Sequence, residues 1–172
     1  NNRREYLFSF SIQPDGTYKL PHLEDGEYMI RANPDHKYTE YVSSYWNYIN
    51  ISDGTVTEQT SVPLDLILNV VQVKGAVTYP DESSTLVPEY EFYIEIMNEE
   101  NNAGDIDYVY NTFEGVYKVG GLQAGRYRIR AVSNNAEYTG SRYRTFEVIN
   151  ETSKHEIDLQ LTEPQLVVTV MN

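Results

Sequence analysis

The chain has 172 residues, with 26 acidic and 13 basic side chains, a formal net charge of −13 and no cysteine. The negative charge argues against nucleic acid and anionic lipid as partners, and the lack of cysteine excludes disulfides, a thiolate nucleophile and cysteine-ligated zinc. No apolar run approaches the roughly 18 residues that a membrane-spanning helix needs, so membrane insertion is not expected.

Residues 1–68 predict an incomplete β-sandwich repeat. Alternating apolar and polar residues, as in GEYMIRA (26–32), indicate strands, and turn signals such as Asp25-Gly26 and Asp53-Gly54 separate them. A strand, EYLFSFSI, opens the segment at about residue 5. Counterparts of the strands that we expect over 69–97 are missing from it.

Residues 69–161 predict a complete repeat. Its strand-like runs include VQVKGAVTY (71–79), EYEFYIEIM (89–97) and HEIDLQL (155–161). In GRYRIRAV (125–132), apolar residues alternate with arginines, which is the pattern of a strand with one buried face. Residues 162–172 hold an extra strand, either the start of a further repeat or a donor strand. No window shows the apolar stripe of an amphipathic helix.

One motif occurs twice. PDGTYKLPHLEDGEYMIRA (14–32) and FEGVYKVGGLQAGRYRIRA (113–131) share nine of nineteen residues at an offset of 99 positions. A period of this length predicts tandem domains, because solenoids repeat every 20–50 residues. The alignment continues with Trp46 against Phe146, Asn50 against Asn150 and Asp65 against Asp158.

The predicted fold is therefore all-β, with two tandem sandwiches, the first lacking its opening strands. The motif resembles the carboxypeptidase-regulatory-like and Cna-B-like domains, which are prealbumin-like sandwiches. The residues that carry the resemblance are Gly16, Tyr18, Leu23, Gly26, Tyr28 and Ile30, with Gly115, Tyr117, Leu122, Gly125, Tyr127 and Ile129. This resemblance implies a non-catalytic module of an extracellular or cell-surface protein such as a stalk, adhesin, filament or multidomain exoenzyme.

No enzyme, cofactor or metal site is expected. His22, His36 and His155 are scattered without metal-ligand spacing, and no catalytic sequence motif is present. The acidic run EENNAGDID (99–107) offers oxygen ligands for calcium, but it lacks EF-hand spacing, and we favour a solvated loop.

The extra strand suggests how copies of the chain join. Leu166, Val168 and Val170 alternate along QLVVTV (165–170) and would enter the core of the incomplete repeat of another copy. Such strand addition would join copies head to tail into an open polymer. The alternative is that the chain is part of a longer array, whose neighbouring domains are then its partners.

An aromatic cluster suggests a competing function. Tyr45, Trp46 and Tyr48, with Tyr38 and Tyr41 nearby, would suit stacking against sugars, as in a carbohydrate-binding accessory module of an extracellular enzyme. Alternation would place Trp46 and Tyr48 on one strand face. The alternative, which we favour, is that Trp46 belongs to the core, like its aligned residue Phe146, and that the cluster is part core and part adhesive edge.

Two further groups of residues are candidates for contact or modification. Asn50-Ile51-Ser52 and Asn150-Glu151-Thr152 are N-glycosylation sequons, both expected at strand ends. A cluster of five arginines would either seat an acidic loop of another copy or form a solvated sheet face with cross-strand ion pairs, which we favour: Arg126, Arg128, Arg130, Arg142 and Arg144.

Overall fold

A computed structural model of the chain describes residues 11–13, 15–20, 23–35, 40–58, 64–81, 84–100 and 109–164. Within these ranges the fold is all-β, as predicted, and no helix occurs, hence none that is long and apolar enough to cross a membrane. The strands are β1 Gly26–Ile30, β2 Tyr41–Val42, β3 Asn47–Ser52, β4 Thr55–Glu58, β5 Asn69–Thr78, β6 Phe92–Asn98, β7 Val109–Phe113, β8 Val116–Gly120, β9 Gly125–Ser133, β10 Arg144–Val148, β11 His155–Glu156 and β12 Leu159–Gln160.

The chain divides into two compact units. The first contains the described residues of Asn1–Ile30 and Trp46–Asp65, and the second contains those of Arg31–Tyr45 and Leu66–Asn172. The sequence prediction instead places a boundary after residue 68 and assigns residues 31–45 to the first repeat. The division into tandem domains at 1–68, 69–161 and 162–172 stays a prediction.

The second unit has two sheets around one core. β6, β9 and β10 form an antiparallel sheet in the order β10-β9-β6. In the other sheet β8 lies between β5 and β7, and the short strands β2, β11 and β12 also pair with β5. Alternate apolar residues of both sheets fill the core, as the period of two predicts: they include Val73, Val77, Ile94, Ile96, Tyr117, Val119, Tyr127, Ile129, Phe146 and Val148.

The first unit has one antiparallel sheet in its described part, in the order β1-β3-β4. The Asp53-Gly54 turn joins β3 to β4 with φ values of 52° and 70°, because a two-residue hairpin of this kind needs the left-handed region at both positions. Ile30, Ile49 and Ile51 are buried on one face of this sheet.

The pairing of strands corrects the predicted alignment of the two repeats. Tyr28 pairs with Ile49 in the first unit, and Tyr127 pairs with Phe146 in the second. Ile49, not Trp46, is therefore the counterpart of Phe146. Trp46 is 49% exposed, so the interpretation of Trp46 as a core residue is wrong.

The shift arises in a loop of unequal length. Ala32 N–H donates to Ser44 Oγ at 2.9 Å, and Ser44 N–H donates back to the Ala32 carbonyl at 2.9 Å. Ala131 and Ser141 make the same two bonds, at 3.0 and 2.8 Å. Ser44 lies 12 positions after Ala32, whereas Ser141 lies ten after Ala131, so the first loop is longer.

Candidate interaction site

In the second unit, β5 covers the start of the repeated motif. Tyr117 is fully buried and donates its hydroxyl to the Ile157 carbonyl at 2.5 Å. Gly75 lies opposite Tyr117, where an added Cβ would stand 1.9 Å from the Ile157 carbonyl oxygen. Only glycine allows this close approach, so β5 closes tightly over the Tyr117 ring.

Gln72 of β5 also holds the next part of the motif. Its side chain is buried, with 2% of the residue exposed. Gln72 Nε2 donates to the Leu122 carbonyl at 2.9 Å, and Leu122 N–H donates to Gln72 Oε1 at 2.7 Å. Both backbone groups of Leu122 are therefore satisfied by one amide, which makes β5 part of the support for Leu122.

The end of the motif is covered by β6 instead. Tyr127 of β9 is buried, and Asn98 of β6 pairs with it. The Tyr127 hydroxyl donates to the Gln123 carbonyl four residues earlier at 2.9 Å. In the second unit β5 therefore pairs with the first strand of the motif, β8, and β6 pairs with its second strand, β9.

The first unit makes the same tyrosine hydrogen bonds. Tyr18 donates its hydroxyl to the Leu64 carbonyl at 2.8 Å, as Tyr117 does to Ile157. Tyr28 donates to the Glu24 carbonyl at 2.8 Å. The motif therefore holds the same local conformation in both repeats at these tyrosines.

The motif side chains are less buried in the first unit than in the second. Tyr18, Leu23 and Tyr28 are only half-buried, whereas their counterparts in the second unit are buried. Among the described residues, β1 pairs only with β3, whereas β9 lies between β6 and β10. Residues 17–20 correspond to β8 but form no strand. We call Tyr18, Leu20, Leu23 and β1 the open face of the first unit.

The pKa values of the two equivalent tyrosines, Tyr18 and Tyr117, are shifted in the same direction and by the same causes. Burial raises the pKa of the Tyr117 hydroxyl, and the Asp158 carboxylate raises it further. Burial likewise raises the pKa of Tyr18, with Asp65 adding to the effect. Both hydroxyls therefore stay protonated and remain hydrogen-bond donors at neutral pH.

The predicted donor residues Leu166, Val168 and Val170 lie outside the described residues. Their entry into a neighbouring core stays a prediction.

Comparison with protein-family models, curated proteins and solved structures found no match for the chain.

The aromatic residues fall on different units. In the first unit Tyr48 lies on the exposed face of β3, opposite to the buried Ile49 and Ile51, and Trp46 directly precedes this strand; their exposures are 66% and 49%. Tyr45 belongs to the second unit, where its hydroxyl donates to the Gly121 carbonyl. Both Trp46 and Tyr48 are exposed, and a sugar platform that joins them with Tyr45 stays a prediction. Tyr38 lies outside the described residues.

The two sequons differ in structure. Asn150 follows β10 in an exposed turn, where its Oδ1 accepts bonds from Thr152 N–H at 3.0 Å and Thr152 Oγ1 at 2.8 Å. Asn50 instead lies within β3 and pairs with Glu27 and Glu58 on its two sides. The expected strand-end position is confirmed for Asn150 and is wrong for Asn50, because β3 continues to Ser52.

The arginine cluster is partly paired within its own sheet. Arg130 Nη2 lies 2.8 Å from Glu95 Oε2, and Tyr143 donates its hydroxyl to the same carboxylate. The guanidinium groups of Arg128 and Arg130 stack over the Tyr143 ring at 4.8 and 4.6 Å. Burial raises the pKa of Glu95, but the bonds from Arg130 and Tyr143 outweigh it and leave that pKa lowered. Arg126 Nε also lies 3.7 Å from Glu99 Oε2, so Arg126 and Arg130 form ion pairs of the kind that the favoured interpretation expects.

Metal ligation finds no support in the described part of the chain, where no three His, Asp or Glu residues are placed to hold an ion. His155 packs against the Phe146 ring at a centroid distance of 5.3 Å. His22, His36 and residues 101–107 of the acidic run lie outside the described ranges.

Sequence reasoning missed Gln72, Ser44 and Ser141. Gln72 is the single polar residue within the Val70–Val73 run, and a buried polar residue of this kind needs a partner. The partner is 50 positions away in sequence, so the isolated glutamine is the only signal.

Proposed function

We propose that the chain is a non-catalytic structural and interaction module of an extracellular stalk, adhesin or filament. Its copies join when a C-terminal strand of one adds to the first unit of the next. The observation that carries the proposal is the open face: three motif residues are half-buried in the first unit although their counterparts are buried in the second.

The apolar surface left exposed on the open face favours a partner that buries it. Burying apolar surface stabilises by about 25 cal/mol per Å², so a half-covered tyrosine and leucine leave stabilisation to be gained. Strand addition supplies backbone hydrogen bonds together with apolar side chains on alternate positions. The extracellular location rests on the resemblance of the motif to surface-protein modules.

The test is the solution mass and negative-stain appearance of the full chain beside a version that ends at Thr162. We expect the full chain to form linear assemblies whose mass rises with concentration, and the shortened version to stay monomeric. Monomers in both cases would refute joining by strand addition. A shortened version that assembles equally well would assign the contact to another surface.

A second candidate function is carbohydrate binding, which the exposure of Trp46 and Tyr48 favours. Stacking on such residues would be lost when the larger ring is removed. In a glycan screen, Trp46→Ala should abolish binding, and Tyr90→Ala, which removes a more exposed aromatic ring of the second unit (74%), should not. A chain that binds no glycan leaves the structural module as the function.

A further inference from the structure

The loops that follow β1 and β9 hold the chain beyond each repeat in the same way. Val42 and Thr139 occupy equivalent places, each two residues before the serine that closes its loop. Val42 pairs with Asn69 at the start of β5. Thr139 pairs with Thr162, and the backbone N–H groups of this pair donate across it at 2.7 and 3.3 Å. Thr162 therefore holds, after the second repeat, the position that Asn69 holds after the first.

Side-chain hydrogen bonds repeat this contact. Asn69 Nδ2 donates to the Ser43 carbonyl at 2.8 Å, and Thr162 Oγ1 donates to the Gly140 carbonyl at 3.0 Å. Ser43 and Gly140 are equivalent, since each directly precedes its loop serine. Asn69 and Thr162 also lie four residues after the two aspartates that the sequence alignment matches. The alignment and the hydrogen bonds thus agree on the equivalence of Asn69 and Thr162.

The pairing is shorter at the second loop, for a chemical reason. Val71, two residues after Asn69, donates its N–H to the Glu40 carbonyl at 2.9 Å. The equivalent residue after Thr162 is Pro164, which has no N–H to donate. The described pairing of this loop therefore consists of one bridge, whereas β2 pairs with β5 over two residues.

The first loop also packs on the unit that β5 joins. A Cβ at Gly120 would lie 2.8 Å from Val42 Cγ2, and Tyr45 donates its hydroxyl to the Gly121 carbonyl. Both contacts lie within the second unit, which contains residues 31–45. The loop therefore holds the incoming strand and also touches the β8–β9 turn of the unit that the strand completes. The equivalent positions of the second loop are Thr139 and Arg142, and both are exposed.

Charge distinguishes the second loop from the first unit. The run Thr139–Arg144 contains two arginines and no acidic residue. Arg142 and Arg144 are exposed and form no ion pair with any residue that the structure describes. The described residues of the first unit carry one basic side chain, Lys19, and seven acidic ones: Asp15, Glu24, Asp25, Glu27, Asp53, Glu58 and Asp65. The two surfaces are therefore of opposite charge, which favours their association.

We propose that the run Thr139–Arg144 of the second unit, which we call the docking loop, binds the first unit of a second copy. The inference rests on the proposed function, in which the strand that joins two copies follows Thr162. A loop that holds the start of a strand and contacts the unit that receives the strand sets the direction in which copies join. Arg142 and Arg144 add attraction for the acidic side chains of that unit.

The experiment measures the self-association of the full chain by sedimentation velocity. Arg142→Ala together with Arg144→Ala should weaken association by about threefold to tenfold, the effect of one or two exposed ion pairs. Lys74→Ala together with Arg126→Ala is the matched control, because it removes the same charge from exposed positions of the second unit outside the docking loop. This control should change association by less than about twofold.

Two further measurements separate attraction from misfolding. Arg142→Lys together with Arg144→Lys keeps both charges and should retain most of the association. The loss caused by the two alanines should become smaller as salt is added, because salt screens exposed charge pairs. Circular dichroism of each variant reports whether its strands remain.

The outcomes separate the docking loop from the proposed function. A chain that assembles, but loses association equally with the arginine pair and with the control pair, overturns the docking loop and leaves the joining of copies intact. A loss that stays the same at every salt concentration also overturns the docking loop. A full chain that stays monomeric at every concentration overturns the proposed function, and the docking loop with it.

Discussion

Tyr18 and Tyr117 occupy the same position of the repeated motif and differ mainly in cover. Each donates its hydroxyl to a backbone carbonyl, but only Tyr117 is fully buried. A hydrogen bond is more costly to lose when the acceptor left behind cannot reach water. The same residue type therefore contributes differently to stability in the two units.

Replacement of the two tyrosines tests this difference. We expect Tyr117→Phe to lower the free energy of unfolding by about 1–2 kcal/mol, and Tyr18→Phe by less than about 0.5 kcal/mol. Urea unfolding followed by tryptophan fluorescence and circular dichroism measures both. Equal losses would mean that the first unit covers Tyr18 as fully as the second covers Tyr117.

Glu95 gives a pH dependence of known sign. Its pKa is lowered in the folded state, so its contribution is fully present above the ordinary pKa of glutamate. That contribution is lost as the pH falls through the lower, folded-state pKa. Glu95→Gln should remove this part of the acid sensitivity and cost about 1 kcal/mol at neutral pH, since the ion pair is partly exposed. Unfolding curves recorded between neutral pH and pH 3 check it, and identical slopes for both proteins would contradict it.

At the scale of elements, β5 organises the second unit. It pairs with β8 on one side and with β2, β11 and β12 along its length, and it carries Gln72 and Gly75 to the motif. The first unit has the motif without a described strand in this role. Residues 17–20, which correspond to β8, form no strand.

Gln72 provides the test of this element. Gln72→Leu leaves the Leu122 N–H and carbonyl buried without partners, and we expect a loss of about 2–4 kcal/mol. Gln160→Leu is the matched control, because the exposed Gln160 makes one 3.2 Å bond to the Tyr79 carbonyl. Thermal unfolding compares the two, and losses of the same size would remove the special role of Gln72.

The strands and the repeat are features that local sequence predicts. GRYRIRAV alternates with a period of two, and the structure buries Tyr127, Ile129 and Ala131 as that period requires. The positions of Ile49 and Gln72 are different, because each depends on a distant partner. A loop that is two residues longer in the first repeat makes Ile49, and not Trp46, the counterpart of Phe146, and only strand pairing shows this.

On the scale of the whole molecule, one sequence motif is present twice with unequal cover. The buried copy lies in a unit with two sheets and a shared core, and the half-buried copy lies in a unit with one described sheet. The net charge of −13 makes separate copies repel each other at low ionic strength, and the proposed strand contact has to overcome this repulsion. Added salt should therefore strengthen the assembly.

The central claim is that the open face gains its cover from another copy, and hydrogen exchange in dilute and concentrated solutions measures this directly. We predict that the amides of Tyr18, Leu20 and Leu23 exchange fast in dilute solution and slow down as concentration rises. The amides of Tyr117, Val119 and Leu122 should be slow at every concentration, since β5 already covers them. Slow exchange of the first set in dilute monomers, or fast exchange that does not change with concentration, would contradict the account.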